Sequence, residues 1–452
     1  MTSERLNWRL LVNMNLGFWG VQIGNGLQIA DASAIFEALG AEASQLPMLW
    51  LGAPMVGLLT QPIVGQMSDR TWVYWGGRWG KRQPYLLGGA LLAALMLVAM
   101  PQAASLSQAV AMYWVLQLAL NISIAPTRPF VGDLLSPGHR TLGYALQGFC
   151  IGLGAICAAA LPWLLEHLLH LDPAPEMGIP AVITWAYRVG AAICLGSALW
   201  TFWRVEEAPP AAEASLPQPD EPEVGSGLAA VKAIARATAT MPPIMRQLAG
   251  VQALTWAGIY CVFLYLPTAI ALNILEAPNR QSPSYAQGVE WAGLCIAFYN
   301  LVCLGASGLI PALSRRWGRV VTHATCLMMG CAGLVSLLGV HSRYPILLSM
   351  VGVGIAWASV LSIPYSLLMD ELDEGQSGVY MGLFNGFITL PQIAMSLGFG
   401  WVMRTWLDSS RLWALALGGF FLGLAALLML RVPEPVAKAE TSDRSLATAP
   451  KS

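Results

Sequence analysis

Four polar residues recur at every third position of one otherwise apolar stretch: Gln22, Asn25, Gln28 and Asp31. Side-chain amides offer donors and acceptors together, which suits a solute rich in hydroxyls, and an aspartate among them offers a seat for a proton. A three-residue step makes this row wind slowly around a helix. A second row, Gln117, Asn121 and Arg128, falls at i, i+4 and i+11 and keeps to one helical face. A guanidinium inside an apolar span costs about 2.5–3.5 kcal/mol on insertion scales, so Arg128 needs water or a counter-charge. It either ends a polar cavity wall or pairs with an acid to lock two helices.

For Asp31 to hold a proton near neutral pH it must be stripped of hydration, and a nearby Arg128 opposes that. The expectation is that Asp31 alternates between a protonated state and a pairing with Arg128. A solvated acid at a helix end is the competing reading. Glu37 and Glu290 are further proton candidates, both near the ends of their segments. Arg188 needs an acidic partner within its span, and Glu290 is one candidate. His167 and His170 stand at i, i+3 beside Glu166 and Asp172. They read as a polar loop face, and no metal site is expected.

These residues must be positioned by segments of unusual composition. Of 452 residues, 56% are apolar and only 11% charged, with a formal net charge of −1; an ordinary soluble protein is about 25% charged. Runs long enough to cross a hydrocarbon core of about 30 Å recur along the chain. Twelve spans are expected, at 10–36, 46–67, 84–104, 108–132, 142–166, 181–203, 244–272, 287–312, 320–340, 345–368, 378–403 and 411–431. A ten- or eleven-span reading stays open if the first or sixth is misassigned. The opening run carries Asn13, Asn15, Gln22 and Asn25, which fits a first span better than a leader peptide.

Placing both termini in the cytoplasm gathers Arg78, Lys81, Arg82, Arg315, Arg316 and Arg319 on the inner side and leaves Arg280, Arg343, Arg404 and Arg411 outside. This is the positive-inside asymmetry. Nothing in the charge pattern points to nucleic acid. The eight cysteines all fall within spans and read as small packing residues.

Arg78, Trp79 and Gly80 followed by Lys81 reappear as Arg316, Trp317 and Gly318 followed by Arg319, about half a chain away. Each copy follows two apolar segments, so the chain consists of two similar halves. The boundaries read as a bundle over 1–204, a Pro/Glu/Ala-rich linker over 205–243 with a short surface helix at 228–240, a second bundle over 244–432 and a disordered tail over 433–452.

Pro62, Gly65, Ser68, Asp69 and Arg70, then Arg78, Gly80, Lys81, Arg82, Pro84 and Tyr85, resemble the signature loop of the major facilitator superfamily. The form is that of its sucrose–proton and glycoside–pentoside–hexuronide symporter branch, with a longer spacer at 71–77. Pro126, Arg128 and Asp133 resemble the fourth helix of that branch. Tyr285, Gly288, Trp291, Phe298, Tyr299 and Asn300 resemble the eighth, and Ile363, Pro364, Tyr365, Gly378, Tyr380, Phe384 and Asn385 the tenth and eleventh. The resemblance covers residues 10–430 apart from the linker.

It implies an all-α membrane protein with twelve transmembrane helices in two pseudo-symmetric six-helix bundles, the major facilitator fold. The implied activity is uptake of a disaccharide or glucoside such as sucrose or maltose with a proton, or with sodium in its place. The expected protein is a monomer in the inner membrane with no cofactor and no enzymatic role. An exporter of drugs or metabolites, an uncoupled uniporter and a sugar sensor are the alternatives. The family's usual acids at the positions of Gln117 and Ala125 are absent here, which is why Asp31 leads the proton candidates.

Gly65, Asp69, Arg70, Arg78, Arg82, Asp133, Arg316 and Arg319 are expected to form a cytoplasmic gate; topology determinants that contact lipid headgroups are the alternative. Sugars present C–H faces that stack on aromatic rings. The ring and amide candidates are Trp256, Tyr260 and Phe263 on one helix face, Tyr299 and Asn300 on the next helix, Asn385 with Gln392, and Tyr144 with Gln147. Packing or interfacial placement explains most such aromatics.

Overall fold

No water reaches the backbone inside a bilayer, so a crossing segment must pair its own N–H and C=O groups, as a helix does. The computed structural model describes residues 7–75, 80–135, 137–169, 175–176, 179–207, 241, 243–371 and 377–434. The expected surface helix, most of the linker and the tail beyond Glu434 lie outside these residues. Helices occupy all twelve expected spans. Among the described residues, eleven spans are long and apolar enough to cross a membrane by length and composition. The remaining helix, α1 (Trp8–Ala38), has 31 residues, but its amides and acids dilute its apolar character.

The N-terminal half continues with α2 (Leu46–Leu49), α3 (Gly52–Trp75), α4 (Gln83–Ala99), α5 (Leu106–Ile124), α6 (Thr127–Leu134), α7 (Pro137–Leu169) and α8 (Ala181–Arg204). The C-terminal half contains α9 (Pro243–Ala269), α10 (Pro283–Trp317), α11 (Arg319–Ser336), α12 (Pro345–Val360), α13 (Ile363–Glu371), α14 (Ser377–Thr405) and α15 (Arg411–Met429).

Three expected spans are broken. The span at 46–67 divides into α2 and α3. That at 108–132 divides into α5 and α6 at Pro126, which has no N–H to continue the ladder. That at 345–368 divides into α12 and α13 just before Pro364. After Pro267, α9 loosens into a π turn at Ile270–Ile274. Between α7 and α8 a two-residue antiparallel ladder pairs Pro175 with Pro180 and Glu176 with Ile179. Strands this short leave no periodicity in a sequence.

Lipid tails are as apolar as leucine, so helices associate through close packing and hydrogen bonds. α1 lies at the centre of its half against α7 and α8. Gly17 N donates to Thr201 Oγ1 at 2.9 Å, and Thr201 Oγ1 donates to Asn13 O at 2.6 Å. A Cβ on Gly20 would collide with Ser197, so both glycines set the α1–α8 approach.

The duplicated basic loops share one local device. Gly80 and Gly318 have φ of +72° and +82°, a region that L side chains avoid. The turn each makes aims the next N–H groups at a glutamate. Glu207 accepts from the backbone N–H of Lys81 at 2.9 Å, Arg82 at 3.1 Å and Gln83 at 3.0 Å. Glu434 accepts from the N–H of Arg319 at 3.0 Å and of Val320 at 2.9 Å. These N–H groups are the unpaired donors at the starts of α4 and α11, where the helix dipole also favours an anion. A Cβ on Gly80 would strike the Glu207 carboxylate, and one on Gly318 would lie 3.1 Å from Glu434 Oε2.

Each glutamate follows an arginine by three residues, Arg204 and Glu207 in one half, Arg431 and Glu434 in the other. This second repeat escapes a reading based on the basic clusters alone. Burial alone would push the Glu434 carboxyl up. Hydrogen bonds from Val320 and Arg319 and the Arg319 charge outweigh it and hold the group below its ordinary value. Its support for the loop is therefore complete above the ordinary carboxylate pKa of about 4.3 and fades as pH falls further.

Gly318→Ala should destabilise the protein by about 1–3 kcal/mol, because ψ of 157° with that φ is a region almost confined to glycine. Thermal unfolding in detergent checks this. Gly65→Ala, whose Cβ would meet no neighbour among the described residues, is the control and should not lower Tm. Equal melting of the two variants would mean that the cap geometry does not support the loop.

Candidate functional site

A cavity of about 690 Å³ lies between the two halves. Its N-terminal wall is a chain of amides. Gln28 Nε2 donates to Asn25 Oδ1 at 3.1 Å, and Gln117 Nε2 donates to Gln28 Oε1 at 2.6 Å. Asn121 Nδ2 donates to Gln117 O at 2.9 Å and its Oδ1 accepts from Gln61 Nε2 at 2.9 Å. Each bond orients the next amide, so the wall is preorganised. The C-terminal wall carries Asn385, Thr389 and Gln392 on one face of α14, with Tyr260 and Phe263 from α9 and Tyr365 from α13. No carboxylate or cation lines this cavity among the described residues.

Toward the end of the molecule where α1 finishes, aromatic rings close the cavity. Phe36 meets Tyr113 at 5.4 Å, Tyr113 meets Trp50 at 5.9 Å, and Trp50 meets Tyr260 of the other half at 6.4 Å. Trp50 Nε1 donates to Ser33 Oγ at 2.9 Å, which fixes the indole.

Beyond the rings, Glu37 is wholly buried and bound by Arg411 through two parallel bonds, Nε to Oε1 at 2.9 Å and Nη2 to Oε2 at 2.6 Å. Arg280 adds a contact from Nε to Oε2 at 3.3 Å and a bond from Nη1 to Glu37 O at 3.1 Å. Tyr265 OH donates to Ala43 O at 3.1 Å nearby. The hydrogen bonds and ion pairs that join the halves among the described residues lie at this end. At the opposite end the described bonds of each basic cluster stay within its own half. Asp133 Oδ2 is 2.9 Å from Arg82 Nε and 3.0 Å from Lys81 Nζ, and Arg82 Nη1 donates to Ser68 Oγ at 2.5 Å. Arg319 Nε pairs with Glu434 at 3.2 Å, and Arg316 is exposed.

Asp31 lies one turn beyond Gln28, between the amide wall and the Glu37 latch. It is 1% exposed, and its Oδ2 has no hydrogen-bond partner. Asp31 is not among the residues lining the cavity. The side chain of Arg128, its expected partner, lies outside the described residues, as do those of Tyr144, Asp69, Arg70 and Arg78.

The other sequence candidates divide by helix face. Asn25, Gln28, Gln117, Asn121, Tyr260, Asn385 and Gln392 meet at the cavity. Gln22 packs instead against Gly154 of α7, and Gln147 Nε2 donates to Thr127 O at 2.8 Å. Trp256 packs edge-on against Trp357 at 5.7 Å within its own half. Tyr299 is buried and does not line the cavity, its backbone carbonyl lying against Gly354, and Asn300 Nδ2 turns back to Ile296 O at 2.9 Å. A Cβ on Gly65 would meet no neighbour among the described residues.

The candidate pairing of Arg188 with Glu290 is corrected. Arg188 stacks its guanidinium on Trp185 at 4.7 Å, while Glu290 faces Glu166 and His167. Trp50, Gln61, Tyr365 and Thr389 were missed as lining residues. Gln61 is the sole amide in the apolar run 51–65, and Thr389 shares the face of Asn385 and Gln392, so both carried a readable signal. Trp50 and Tyr365 had none that separates them from packing aromatics.

The model of the Major Facilitator Superfamily matches residues 14–396. The sucrose transport protein SUC4 of Arabidopsis thaliana is 25% identical, with 96% of this chain and 92% of that protein aligned. The sucrose transport protein SUT1 of Oryza sativa subsp. japonica is 25% identical over 84% of this chain and 80% of its own. Among solved structures, the nucleoside transporter NupG superposes with a TM-score of 0.69 at 12% identity, covering 94% of this chain and all of that one (100%). A D-xylose-proton symporter does so with a TM-score of 0.63 at 16% identity, covering 94% and 98%. At such identities the likeness speaks for the fold alone. With its helices, its duplicated loops and a family match across most of its length, the chain is a multi-pass membrane transporter, not an enzyme, and belongs to the Major Facilitator Superfamily.

Proposed function

We propose that this protein takes up a neutral sugar, a disaccharide or glucoside such as sucrose or maltose, together with a proton. The observation that carries this reading is the cavity lining. Amides from both halves offer donors and acceptors for many hydroxyls, rings offer faces for C–H groups, and no charge among the described lining residues favours an ionic ligand. A drug exporter would call for a more apolar wall. The sucrose transport proteins among its relatives support the same substrate class.

The halves at 1–204 and 244–432 rock about the cavity, with the basic loops and both termini in the cytoplasm of a cell with an inner membrane. In that orientation Glu37, Arg411 and Arg280 close the outer side, while the ion pairs described for Arg82 and Arg319 on the inner side lie within their own halves. Closing the inner side brings the two arginine loops together as the latch opens.

Asp31 is the proton carrier in this reading. A buried carboxylate whose Oδ2 has no hydrogen bond among the described residues is a seat for a proton, and its place between amide wall and latch lets protonation reach both. A proton crossing 100 mV releases about 2.3 kcal/mol, enough for roughly 50-fold accumulation. One observation favours a second reading, uncoupled sugar uniport: Asp31 does not line the cavity, and Gln117 and Ala125 supply no acid there.

Uptake of labelled sucrose and maltose into proteoliposomes, with and without an inward proton gradient, separates the two. Wild type should accumulate one of these sugars severalfold under the gradient. Asp31→Asn should only equilibrate it, and unchanged accumulation by that variant would exclude Asp31 as carrier. Equilibration by wild type regardless of gradient would establish the uniporter, and no uptake of either sugar would overturn the substrate class. Glu37→Gln removes the charge that holds two buried arginines, a loss of about 3–5 kcal/mol for a buried pair. A cysteine placed at Ser44 should then react faster with a membrane-impermeant maleimide than in the Glu37 background, and equal rates would mean that the ion pair does not hold this end shut.

A further inference from the structure

We propose that Glu166 and His167 of α7 and Glu290 of α10 form a metal site of the zinc class that bridges the two halves. One ligand atom from each lies within 4.8 Å of the others. They line a second cavity of about 540 Å³, which shares no residue with the amide-lined one. Glu290 is only 6% exposed, and neither its Oε1 nor Glu166 Oε2 accepts a hydrogen bond. Two carboxylates turned into one space repel each other, with only His167 Nδ1 at 3.4 Å and Arg343 on the cavity wall beside them among the described residues, and a dication supplies the missing counter-charge.

The imidazole completes the donor set. His167 stacks on Trp163 with ring centroids 4.6 Å apart, and its Nδ1 lies 3.1 Å from Trp163 O and 3.4 Å from Glu290 Oε1. Nδ1 is the nitrogen that faces Glu290, so it is the ligand, giving up the Trp163 carbonyl contact while Nε2 keeps the ring proton. Tetrahedral zinc with bonds of about 2.0–2.1 Å spaces its ligands about 3.3 Å apart. The three groups therefore close by at most about 1.5 Å, within reach of side-chain rotation at His167, which is half exposed.

Calcium needs about 6–8 oxygen ligands, whereas one imidazole with two carboxylates suits zinc. Arg343 also lines the cavity, held over Trp291 at 5.9 Å, and the two carboxylates outnumber its charge. Because α7 and α10 belong to different halves, bound metal fastens them at the Glu37 end.

The test is calorimetric titration of the purified, chelator-stripped full-length protein with zinc chloride, paired with thermal unfolding. The expected result is one saturable zinc and a rise in Tm that EDTA reverses. His167→Ala and Glu290→Gln should each weaken binding at least about tenfold, since even outer-shell changes at metal sites cost that much. The exposure of His167 keeps its variant folded, so the proposal does not depend on Glu290→Gln surviving. No saturable binding, undiminished binding by His167→Ala, or an equal response to magnesium would overturn the assignment. The titration does not depend on what the protein carries, so its failure and failure of the sugar reading are separate results.

Discussion

Everything in this molecule follows from the absence of water around its outer surface. Amides and acids that would be unremarkable on a soluble protein cannot face lipid, so they turn toward the seam between the halves. There they either satisfy one another, as Asn25, Gln28, Gln117, Asn121 and Gln61 do, or wait for a ligand that can. The same constraint gives the Glu37 pairing its strength. A carboxylate with no solvent exposure must be matched by fixed donors, and two arginines from the opposite half provide them.

Duplication lets one solution serve twice. A helix that starts just after a sharp basic turn leaves its first N–H groups unpaired, and in each half a glutamate leaving the sixth span reaches back to take them. The glycine of each turn is required by both the positive φ and the close carboxylate. The arginines beside it are then free to act through their side chains, as Arg82 does on Asp133.

Fold class and helix placement were legible because hydrophobic length and repeated basic loops are local, one-dimensional signals. Breaks at Pro126 and before Pro364 were legible in principle from proline alone. The site was legible where polar residues share a helix face with each other, as Gln117 with Asn121 or Asn385 with Gln392. It was not legible where the deciding fact is which face of a helix meets the seam. Gln22 and Gln28 lie on the same helix, yet one packs on Gly154 and the other lines the cavity. Glu290 meets Glu166 and His167 only because α7 and α10 pack across the halves. No spacing within the chain contains that contact.

In the proposed proton-coupled cycle, the latch and the membrane field set the energetic terms. Removing one partner of a buried pair costs about 3–5 kcal/mol, more than the roughly 2.3 kcal/mol one proton gains across 100 mV. Opening the Glu37 end separates the partners into water rather than leaving either buried, so rehydration lowers that cost. The remainder must come from interactions that form elsewhere, around the ligand and at the arginine loops. Surfaces that are already ordered lose little entropy when they meet. The glutamate caps hold the loop starts in shape while the halves are apart, and closure at that end can then offset the opening of the other.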